Sequence, residues 1–555
     1  MDRKHIWISG WLAIALAACG SEKVQENTNQ LPARSAFLIK ANVTGLNGTL
    51  VISNRGENNV TIDQNGEVSM PGTWVQGSSY EVKVMSEPCA QRCEIDQPKG
   101  DVKTSGSVTL NISCASKHWE TVLQEDHISL QNSEAYSPSM SMNTYGDLLV
   151  GWVQSNDYNA QVYKREFFNR KWSETPAIVD HVSFAGSESL DVEVNLNDQM
   201  EATLSWGQDN TDGFRSLYIA DRVDSDWQLP SNIDDKFNVA GISADSITAA
   251  PKVKTNAVGE KVAVWAQLIG PNVKLFKAEF LNGQWVKPTS IADRISLDGS
   301  DVKSYDVAIN DLGEVIVVWA QSNGTNEQIF KAEKRNGVWN IPTNLGNNIS
   351  PSSTDSKSPK VTMNNAGEAY IVWHQHDSTG ASAKYRVYLS ETHDYGVTWN
   401  HPSGLSNGFT PSGKDSIYPR VTVNDQGKII VVYQYKQNNG ENQVYYREKT
   451  SFTAPWSSNA SLSTEDFSEA QGRVALDIDQ LGNVIVAWSS NPSGKVYKAE
   501  KRNGAWVLAN PDVPLSFAAS VYNTPAVVAS TCRSAIAWQQ SNGSNFKQVY
   551  VRQYR

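Results

Sequence analysis

The stretch that decides the fold reads VIVVWAQSNGTNEQIFKAEKRNGVW and spans residues 315–339. It holds an apolar run that ends in Trp319-Ala320-Gln321, a polar loop, a second run around Phe330, and the dipeptide Asn336-Gly337, which one residue separates from Trp339. Asn-Gly between two such runs is the strongest short signal for a β-hairpin. With the alternating segment 304–310 upstream, the stretch predicts four short antiparallel strands, the last beginning at Trp339.

The same unit recurs through most of the chain. One aromatic series lies in the apolar runs at intervals of 50 to 60 residues: Trp152, Trp206, Trp265, Trp319, Trp373, Tyr433, Trp488 and Trp538. A second series follows a turn: Trp119, Trp172, Trp227, Trp285, Trp339, Trp399, Trp456 and Trp506. Four short strands cannot bury both faces of their sheet alone, so copies with a fixed period of this size must stack.

The two ends of the array predict how the stack closes. The array begins at Trp119 with a fourth strand only, and it stops at Arg555 after a third strand. The N-terminal strand can therefore complete the last copy, which is how a β-propeller closes its ring and removes exposed sheet edges. We predict an all-β chain in which residues 116–555 form a β-propeller of eight four-stranded blades, with seven as the alternative count. Glycines after the first strands (Gly146, Gly259, Gly313, Gly367, Gly427 and Gly482) indicate a turn that needs positive φ.

The N-terminus is predicted to be a targeting segment. Arg3 and Lys4 precede an apolar stretch that is too short for a spanning helix, which indicates a signal peptide over residues 1–18. LAAC at residues 16–19 resembles the lipobox of bacterial lipoproteins, and this resemblance implies a lipid on Cys19 as the membrane anchor. Residues 19–34 read as a polar tether. Gly20, directly after the cysteine, resembles the pattern of lipoproteins sent to the outer membrane. We therefore expect a lipid-anchored protein of the bacterial cell envelope in the outer membrane, and both sides of that membrane stay open as its location. An ordinary secretory peptide is the alternative.

Residues 35–115 differ from the array. Their alternating runs, the turn Asn65-Gly66 and a cysteine pair resemble the small Ig-like β-sandwich modules of bacterial surface lipoproteins. That resemblance implies a bridge between Cys93 and Cys114. The partner of Cys89 stays open: a bridge to Cys532 would join this module to the array, and the alternatives are a Cys89–Cys93 pair or two free thiols.

Composition excludes one class of partner. A net charge of −11 and a pI near 5.4 argue against nucleic acid, whose phosphates need a basic face. We expect no cofactor and a monomer.

One copy carries a fuller motif between its third and fourth strands. Thr392, Asp394, Gly396, Thr398 and Trp399 match T-x-D-x-G-x-T-W, the Asp-box of the sialidase-like propellers. In that family the motif is a structural turn remote from the active face, so the resemblance implies a turn-stabilising role for Asp394 in preference to a catalytic one.

Candidate site residues lie at the mouth, the face formed by loops that enter first strands and leave second strands. Thirteen residues before each second-strand aromatic stand Ser139, Glu193, Lys252, Asp306, Lys360, Arg420, Ala475 and Pro525. Sialidases grip a carboxylate with three arginines, whereas Arg420 is the only arginine in this series, and lysine lacks the planar fork that binds a carboxylate in bidentate fashion. We predict Arg420, Lys360, Lys252, Asp306 and Glu193 as ligand-binding residues; no catalytic residue can be assigned.

Two further series complete the candidates. Glutamines follow the aromatics (Gln154, Gln208, Gln267, Gln321, Gln375 and Gln540), and of these Gln321 and Gln375 are carried as candidate ligand-binding amides. The favoured interpretation is that the amides satisfy loop backbone groups. His374 and His376 beside Asp377 could begin a metal site, but without a third ligand we expect exposed loop histidines and no metal.

These observations predict a binding or scaffold propeller for a glycan or protein ligand. The alternative is a sialidase-like glycoside hydrolase at the cell surface. A third hypothesis, an assembly factor at the outer membrane, rests on analogy of fold alone.

Overall fold

The structure is a computed structural model. It describes residues 37–55, 57–72, 74–103, 107–156, 158–209, 214–239, 251–437, 440, 442–463, 474–490, 494–510, 512–517, 525–541 and 546–555. The predicted signal peptide, Cys19 and the tether lie outside these residues. Within them, no helix is long and apolar enough to cross a membrane.

The described residues between 37 and 116, called the module below, form two four-stranded sheets around one apolar core. One sheet has the order β4-β1-β8-β6 and the other β3-β2-β5-β7. The strands are β1 (Ile39–Thr44), β2 (Leu50–Asn54), β3 (Glu57–Ile62), β4 (Gly66–Ser69), β5 (Ser79–Ser86), β6 (Gln91–Ile95), β7 (Lys99–Asp101) and β8 (Val108–Ser116).

The array folds into eight successive antiparallel sheets in the described residues, each a meander in chain order. Their first strands are β9 (Ala135–Met142), β13 (Ser189–Leu196), β17 (Lys252–Thr255), β21 (Val302–Ile309), β25 (Ser356–Met363), β28 (Ser416–Val423), β32 (Ala475–Ile478) and β36 (Ala526–Ser530). The second strands are β10 (Leu148–Ser155), β14 (Ala202–Asp209), β18 (Lys261–Ile269), β22 (Val315–Ser322), β26 (Ala369–His376), β29 (Ile429–Lys436), β33 (Val484–Ser490) and β37 (Arg533–Ser541).

The third strands are β11 (Ala160–Phe168), β15 (Arg215–Val223), β19 (Asn272–Leu281), β23 (Glu327–Arg335), β27 (Tyr385–Thr392), β30 (Asn442–Lys449), β34 (Lys495–Arg502) and β38 (Lys547–Tyr554). The fourth strands are short: β12 (Lys171–Trp172), β16 (Asp226–Gln228), β20 (Gln284–Val286), β24 (Val338–Asn340), β31 (Ala460–Ser461) and β35 (Ala505–Val507). In the part of the chain that the structure describes, four single-turn 3₁₀ helices lie between sheets, at Ile233–Asp235, Ile291–Asp293, Leu345–Asn347 and Leu405–Asn407.

The eight sheets close into a ring, and the chain is a β-propeller. Each first strand contacts the first strand of the next sheet, and β36 of the last sheet contacts β9 of the first. Apolar cores fill the spaces between sheets; the core around Trp152 of the first sheet also contains Val549 and Val551 of the last. The second-strand tryptophans are fully buried, and Trp319 stacks on Phe330 of the third strand with ring centroids 6.0 Å apart.

The closing strand is identified by the surroundings of Trp119. In the fifth sheet, Nε1 of Trp399 donates to Glu333 of the preceding sheet at 2.6 Å, and the Nζ of Lys331 lies 4.9 Å from the ring centroid. Trp119 makes the same two contacts with the seventh sheet, to Glu500 at 3.0 Å and to Lys498 at 4.8 Å. It also bridges Tyr554 of β38. Trp119 therefore completes the eighth sheet, as the sequence predicted.

The face opposite the mouth, called the turn face below, carries the hairpins of the first and second strands. The six glycines predicted for these turns all have positive φ, from 71° to 85°. Before several of these turns an asparagine links neighbouring sheets: Nδ2 of Asn256 donates to the carbonyl of Asn310 at 3.0 Å, and Nδ2 of Asn364 donates to that of Asn424 at 3.0 Å. In the eighth sheet Cys532 occupies the left-handed position, with φ 62°.

The module is joined to the turn face across the closure of the ring. Cys93 is bonded to Cys114 within the module, and Cys89 is bonded to Cys532 of the last sheet. Beside this bridge, Glu87 pairs with Arg170 of the first sheet at 2.7 Å and with Arg533 of the last sheet at 3.1 Å. It also pairs at 3.2 Å with Lys117, which directly precedes the closing strand. One carboxylate of the module thus holds both ends of the ring.

Candidate functional site

The first strands bring the predicted charged series to the inner rim of the ring. Glu193, Lys252, Asp306, Lys360 and Arg420 each pair in register with the residue before the second-strand aromatic, as do Ser139 and Ala475. The assignment of Pro525 to the rim position of the eighth sheet was wrong. In the eighth sheet Ala526 holds this register, opposite Ala537, because the hairpin at Cys532 is one residue shorter than the others.

Four of the five predicted charged residues form ion pairs at the rim. Glu193 pairs with Lys252 at 2.9 Å and with Lys254 at 3.2 Å, and Asp306 pairs with Lys360 at 3.5 Å. Burial raises the pKa of Glu193, but the charges of Lys252 and Lys254 outweigh it and the pKa lies below its ordinary value. The inner rim therefore presents alternating, balanced charge and not the cationic cluster that would grip a carboxylate.

Asp477 is a rim residue that the sequence analysis did not single out. It follows Ala475 by two residues on β32 and accepts hydrogen bonds from the backbone N–H groups of Ala529 at 2.8 Å and Ile478 at 2.9 Å. Burial raises its pKa to about 6, and the charge of Lys254 opposes this rise. Its place in the repeat could have identified Asp477 from the sequence, since it corresponds in register to Lys254 on β17.

The glutamine series has a structural role. This corrects the prediction of Gln321 and Gln375 as ligand-binding amides. Both side chains are fully buried. The Oε1 of Gln321 accepts from Nε1 of Trp319 and from the backbone of Leu297, while its Nε2 donates to the carbonyls of Leu297 and Ser300. The Oε1 of Gln375 accepts from Nε1 of Trp373, and its Nε2 donates to the carbonyls of Pro351 and Thr354. These buried amides fix the loops that enter the first strands.

His374 and His376 do not begin a metal site in the described part of the chain, where no three potential ligands converge. The expectation of exposed histidines is wrong for His374, which is 5% exposed. Its ring packs edge-on against Tyr385 and against Tyr418 of the next sheet, with ring centroids 5.2 Å and 5.4 Å apart. His376 stacks on Tyr385 at 3.8 Å. We call these four residues the imidazole cluster.

The imidazole of His374 is neutral in this setting. Burial lowers its pKa to about 3, and the charges of Lys357 and His376 act in the same direction. The sequence position explains the burial, because the residue after the second-strand aromatic faces the neighbouring sheet. In the other copies this buried residue is Val153, Gly207, Ala266, Ala320, Gln434, Ser489 or Gln539. A histidine at this position must pack between the fifth and sixth sheets.

The turn that contains Asp394 lies on the turn face, away from the mouth. Its carboxylate accepts from the backbone N–H of Thr398 at 2.9 Å, from the hydroxyl of Thr398 at 2.6 Å and from that of Thr392 at 2.7 Å. Hydrogen bonds from Thr398 hold the pKa of Asp394 far below its ordinary value. Gly396 has φ 79°. The contacts account for Asp394 as a turn-forming residue.

No protein-family model matches the chain, and no curated protein does. Solved structures of similar fold include a polysaccharide lyase, the PL25 ulvan lyase, at 9% identity and a TM-score of 0.42, over 64% of this chain and 90% of that one. Others are the GH93 α-L-arabinofuranosidase of Fusarium graminearum, at 13% identity and 0.33 over 55% and 92%, and a protein of unknown function from Dyadobacter fermentans, at 11% and 0.33 over 58% and 95%. Identities of 9–13% and TM-scores of 0.33–0.42 do not extend the likeness to the chemistry of a site.

Proposed function

We propose that the chain is a lipid-anchored protein of the bacterial cell envelope whose propeller binds a glycan or protein ligand at its mouth. The observation that carries the proposal is the position of the module. The module precedes the ring in the chain, follows the proposed anchor at Cys19, and is bonded to the turn face through Cys89 and Cys532. The mouth is the opposite face, and the described contacts between the module and the ring lie on the turn face.

The mouth is also where the copies stop resembling one another. Packing accounts for the buried tryptophans, the glutamines and the turn asparagines, which recur from sheet to sheet. The rim charges and the imidazole cluster occur once each, and they occur at the mouth. Residues that break a repeat without improving its packing are the expected place for function.

The anchor is tested by expressing the full chain and a Cys19→Ala variant in a Gram-negative host and fractionating the cells. We expect the unchanged chain in the membrane fraction and in the detergent phase of a Triton X-114 partition, because a lipidated N-terminus provides stable anchoring. Cys19→Ala should shift the protein to the soluble fraction. Equal distribution of the two proteins would contradict the anchor and leave the ligand proposal to the next experiment.

The ligand is tested on the soluble chain from Gly20 to Arg555, which keeps every described residue. On an oligosaccharide array and a panel of fluorogenic glycosides, we expect saturable binding without turnover. Arg420→Ala at the rim should weaken binding at least about tenfold, since hydrogen bonds to charged groups contribute about 1.5–3 kcal/mol. Asp394→Asn on the turn face is the control and should leave binding unchanged. Equal effects of the two variants would remove the mouth as the site.

The second candidate function is a glycoside hydrolase, and Asp477 is the observation that favours it. The pKa of Asp477 is raised to about 6, that of Glu193 is lowered, and the charge of Lys254 acts on both carboxylates. Two carboxyl groups whose pKa values are pushed apart are what acid–base hydrolysis of a glycoside needs. Turnover of a fluorogenic glycoside that is abolished by Asp477→Asn would replace the binding proposal with this one.

A further inference from the structure

One residue of the imidazole cluster has an unusual backbone conformation. Tyr418 lies in the bulge at the start of β28 and has φ 52°. Three other first strands share this left-handed conformation, at Ser137, Asp191 and Ser358. Small polar residues tolerate it, whereas a bulky side chain at positive φ is rare and costs free energy. Among these four bulges, a large aromatic stands only at the edge of the imidazole cluster.

The cluster also holds a polar atom without a partner. His374 is 5% exposed, and its Nδ1 finds no hydrogen-bond partner among the described residues. A buried nitrogen left unpaired costs free energy, which is why nearly all such atoms in proteins are satisfied. Because the imidazole is neutral, it can accept a hydrogen bond at one nitrogen and donate at the other. An unpaired nitrogen beside a half-exposed tyrosine has the character of a ligand contact.

The surroundings select the ligand chemistry. The charge of Lys357 acts on His374, so an aromatic site for an organic cation is disfavoured here. The described residues offer no third metal ligand. What is left is an aromatic face, that of Tyr418 at 38% exposed, beside neutral hydrogen-bonding groups. Binding sites of this kind combine apolar rings with a few placed polar groups, and a hydroxyl-rich ring matches both features.

We propose that His374, Tyr385 and Tyr418 form a sugar-binding subsite between the fifth and sixth sheets. A pyranose or furanose ring lies against Tyr418, and one of its hydroxyls hydrogen-bonds with the imidazole of His374. Stacking of His376 fixes the orientation of Tyr385, whose ring lies edge-on to that of His374. The proposal rests on the mouth being a ligand-binding face and names one unit of the ligand as a neutral sugar.

The test uses the soluble chain from Gly20 and neutral hexasaccharides of glucose, xylose, mannose, arabinose and N-acetylglucosamine as probes, with affinity measured by calorimetry. We expect at least one of these probes to bind. His374→Phe keeps a ring and removes both nitrogens, and loss of a neutral hydrogen bond should weaken binding up to about tenfold. Tyr418→Ala should weaken it about tenfold or more, and Tyr418→Phe should retain the affinity of the unchanged chain, because the ring face is kept.

Tyr395 provides a matched control. It is also 38% exposed and has φ 58°, but it lies in the turn at Asp394 on the opposite face. Tyr395→Ala should change the stability of the chain as Tyr418→Ala does and should leave affinity unchanged. In ¹⁵N-histidine spectra, the signals of His374 should move when the probe is added, a readout that needs no variant.

The outcomes separate this subsite from the proposed function. If a probe binds, and binding is weakened by Arg420→Ala but unchanged by His374→Phe and Tyr418→Ala, the mouth binds a ligand and the subsite is wrong. If none of the neutral hexasaccharides binds, the subsite is overturned as well. If only charged oligosaccharides of the larger array bind, and their binding is indifferent to His374→Phe, the proposed function stands without the subsite. If neither the hexasaccharides nor the oligosaccharide array gives binding that depends on Arg420, the subsite and the proposed function are both wrong.

Discussion

Glu87→Gln is expected to lower the free energy of unfolding by about 3 kcal/mol near neutral pH. The side chain of Glu87 is 4% exposed, and burial alone would raise its pKa. The charges of Arg170, Arg533 and Lys117 outweigh burial and bring the pKa to about 2. Glutamine keeps the size and loses the charge, which leaves Lys117, at 1% exposed, buried without its counter-charge.

The pH dependence has a definite sign. The pKa of Glu87 is lower in the folded chain than its ordinary 4.5, so the unfolded chain binds the proton more readily. The stabilisation is present above pH 4.5 and is lost as the pH falls towards about 2. Urea unfolding of the unchanged chain and the variant should therefore differ most near pH 7 and converge in acid. Both proteins need Cys89→Ser and Cys532→Ser, so that the disulfide does not mask the loss.

Glu94→Gln is the control for this experiment. Glu94 pairs with Arg92 at 2.6 Å in the same module, but its side chain is 59% exposed. Exposed ion pairs contribute about 1 kcal/mol or less, so the control should be close to neutral. Equal losses in the two variants would mean that the buried cluster does not hold the module to the ring.

Periodicity was sufficient to predict the ring because packing repeats. Every sheet needs the same buried aromatic and the same tight turn, so Trp319 and Gly313 have counterparts that can be counted. The strand that closes the ring followed from the unequal ends of the array. The asparagines that link neighbouring turns, such as Asn256 and Asn364, were missed although they too recur, because a polar residue in a turn has many ordinary explanations.

The candidate site was predicted less well, since it depends on what lies across the gap between sheets. The sequence placed Glu193 and Lys252 at the rim but did not show that they neutralise each other. His374 looked exposed because it sits among polar residues, and its burial arises from Tyr418 of the next sheet, 44 positions later in the chain. The same spacing rule misplaced the eighth rim position by one residue, because Cys532 shortens a hairpin.

Trp119→Ala is expected to lower the free energy of unfolding by about 3 kcal/mol or more and to open the ring. The chain is continuous between all neighbouring sheets except the first and last, where closure depends on the strand at Trp119. That strand bonds β38 through the backbone of His118 and Arg555, both at 3.1 Å, and through Glu120 to Gln553 at 2.9 Å. Removing the indole also removes its hydrogen bond to Glu500 and leaves that buried carboxylate with fewer partners.

Trp339→Ala is the matched control, because Trp339 makes the same contacts inside the array, to Glu279 at 2.7 Å and to Lys277 at 4.4 Å. Both variants should lose similar stability from truncation. Only Trp119→Ala should raise amide hydrogen exchange in residues 546–555 and in the first sheet, since covalent continuity holds the sheet of Trp339 in place. Raised exchange confined to the mutated strand in both proteins would contradict a ring closed by Trp119.

The two predictions are coupled, because Glu87 binds Arg170 of the first sheet and Arg533 of the last. The module therefore spans the same closure that Trp119 completes from within the ring. Variants that share partners do not act additively, and losses from groups more than about 7–10 Å apart without shared partners do. In the background without the Cys89–Cys532 bridge, Glu87→Gln combined with Trp119→Ala should lose less than the two single losses added together, since an opened ring no longer holds Arg170 and Arg533 around one carboxylate. Combining Glu87→Gln with Trp339→Ala should give simple addition. Addition in both pairs would mean that the module rests on the turn face without contributing to closure.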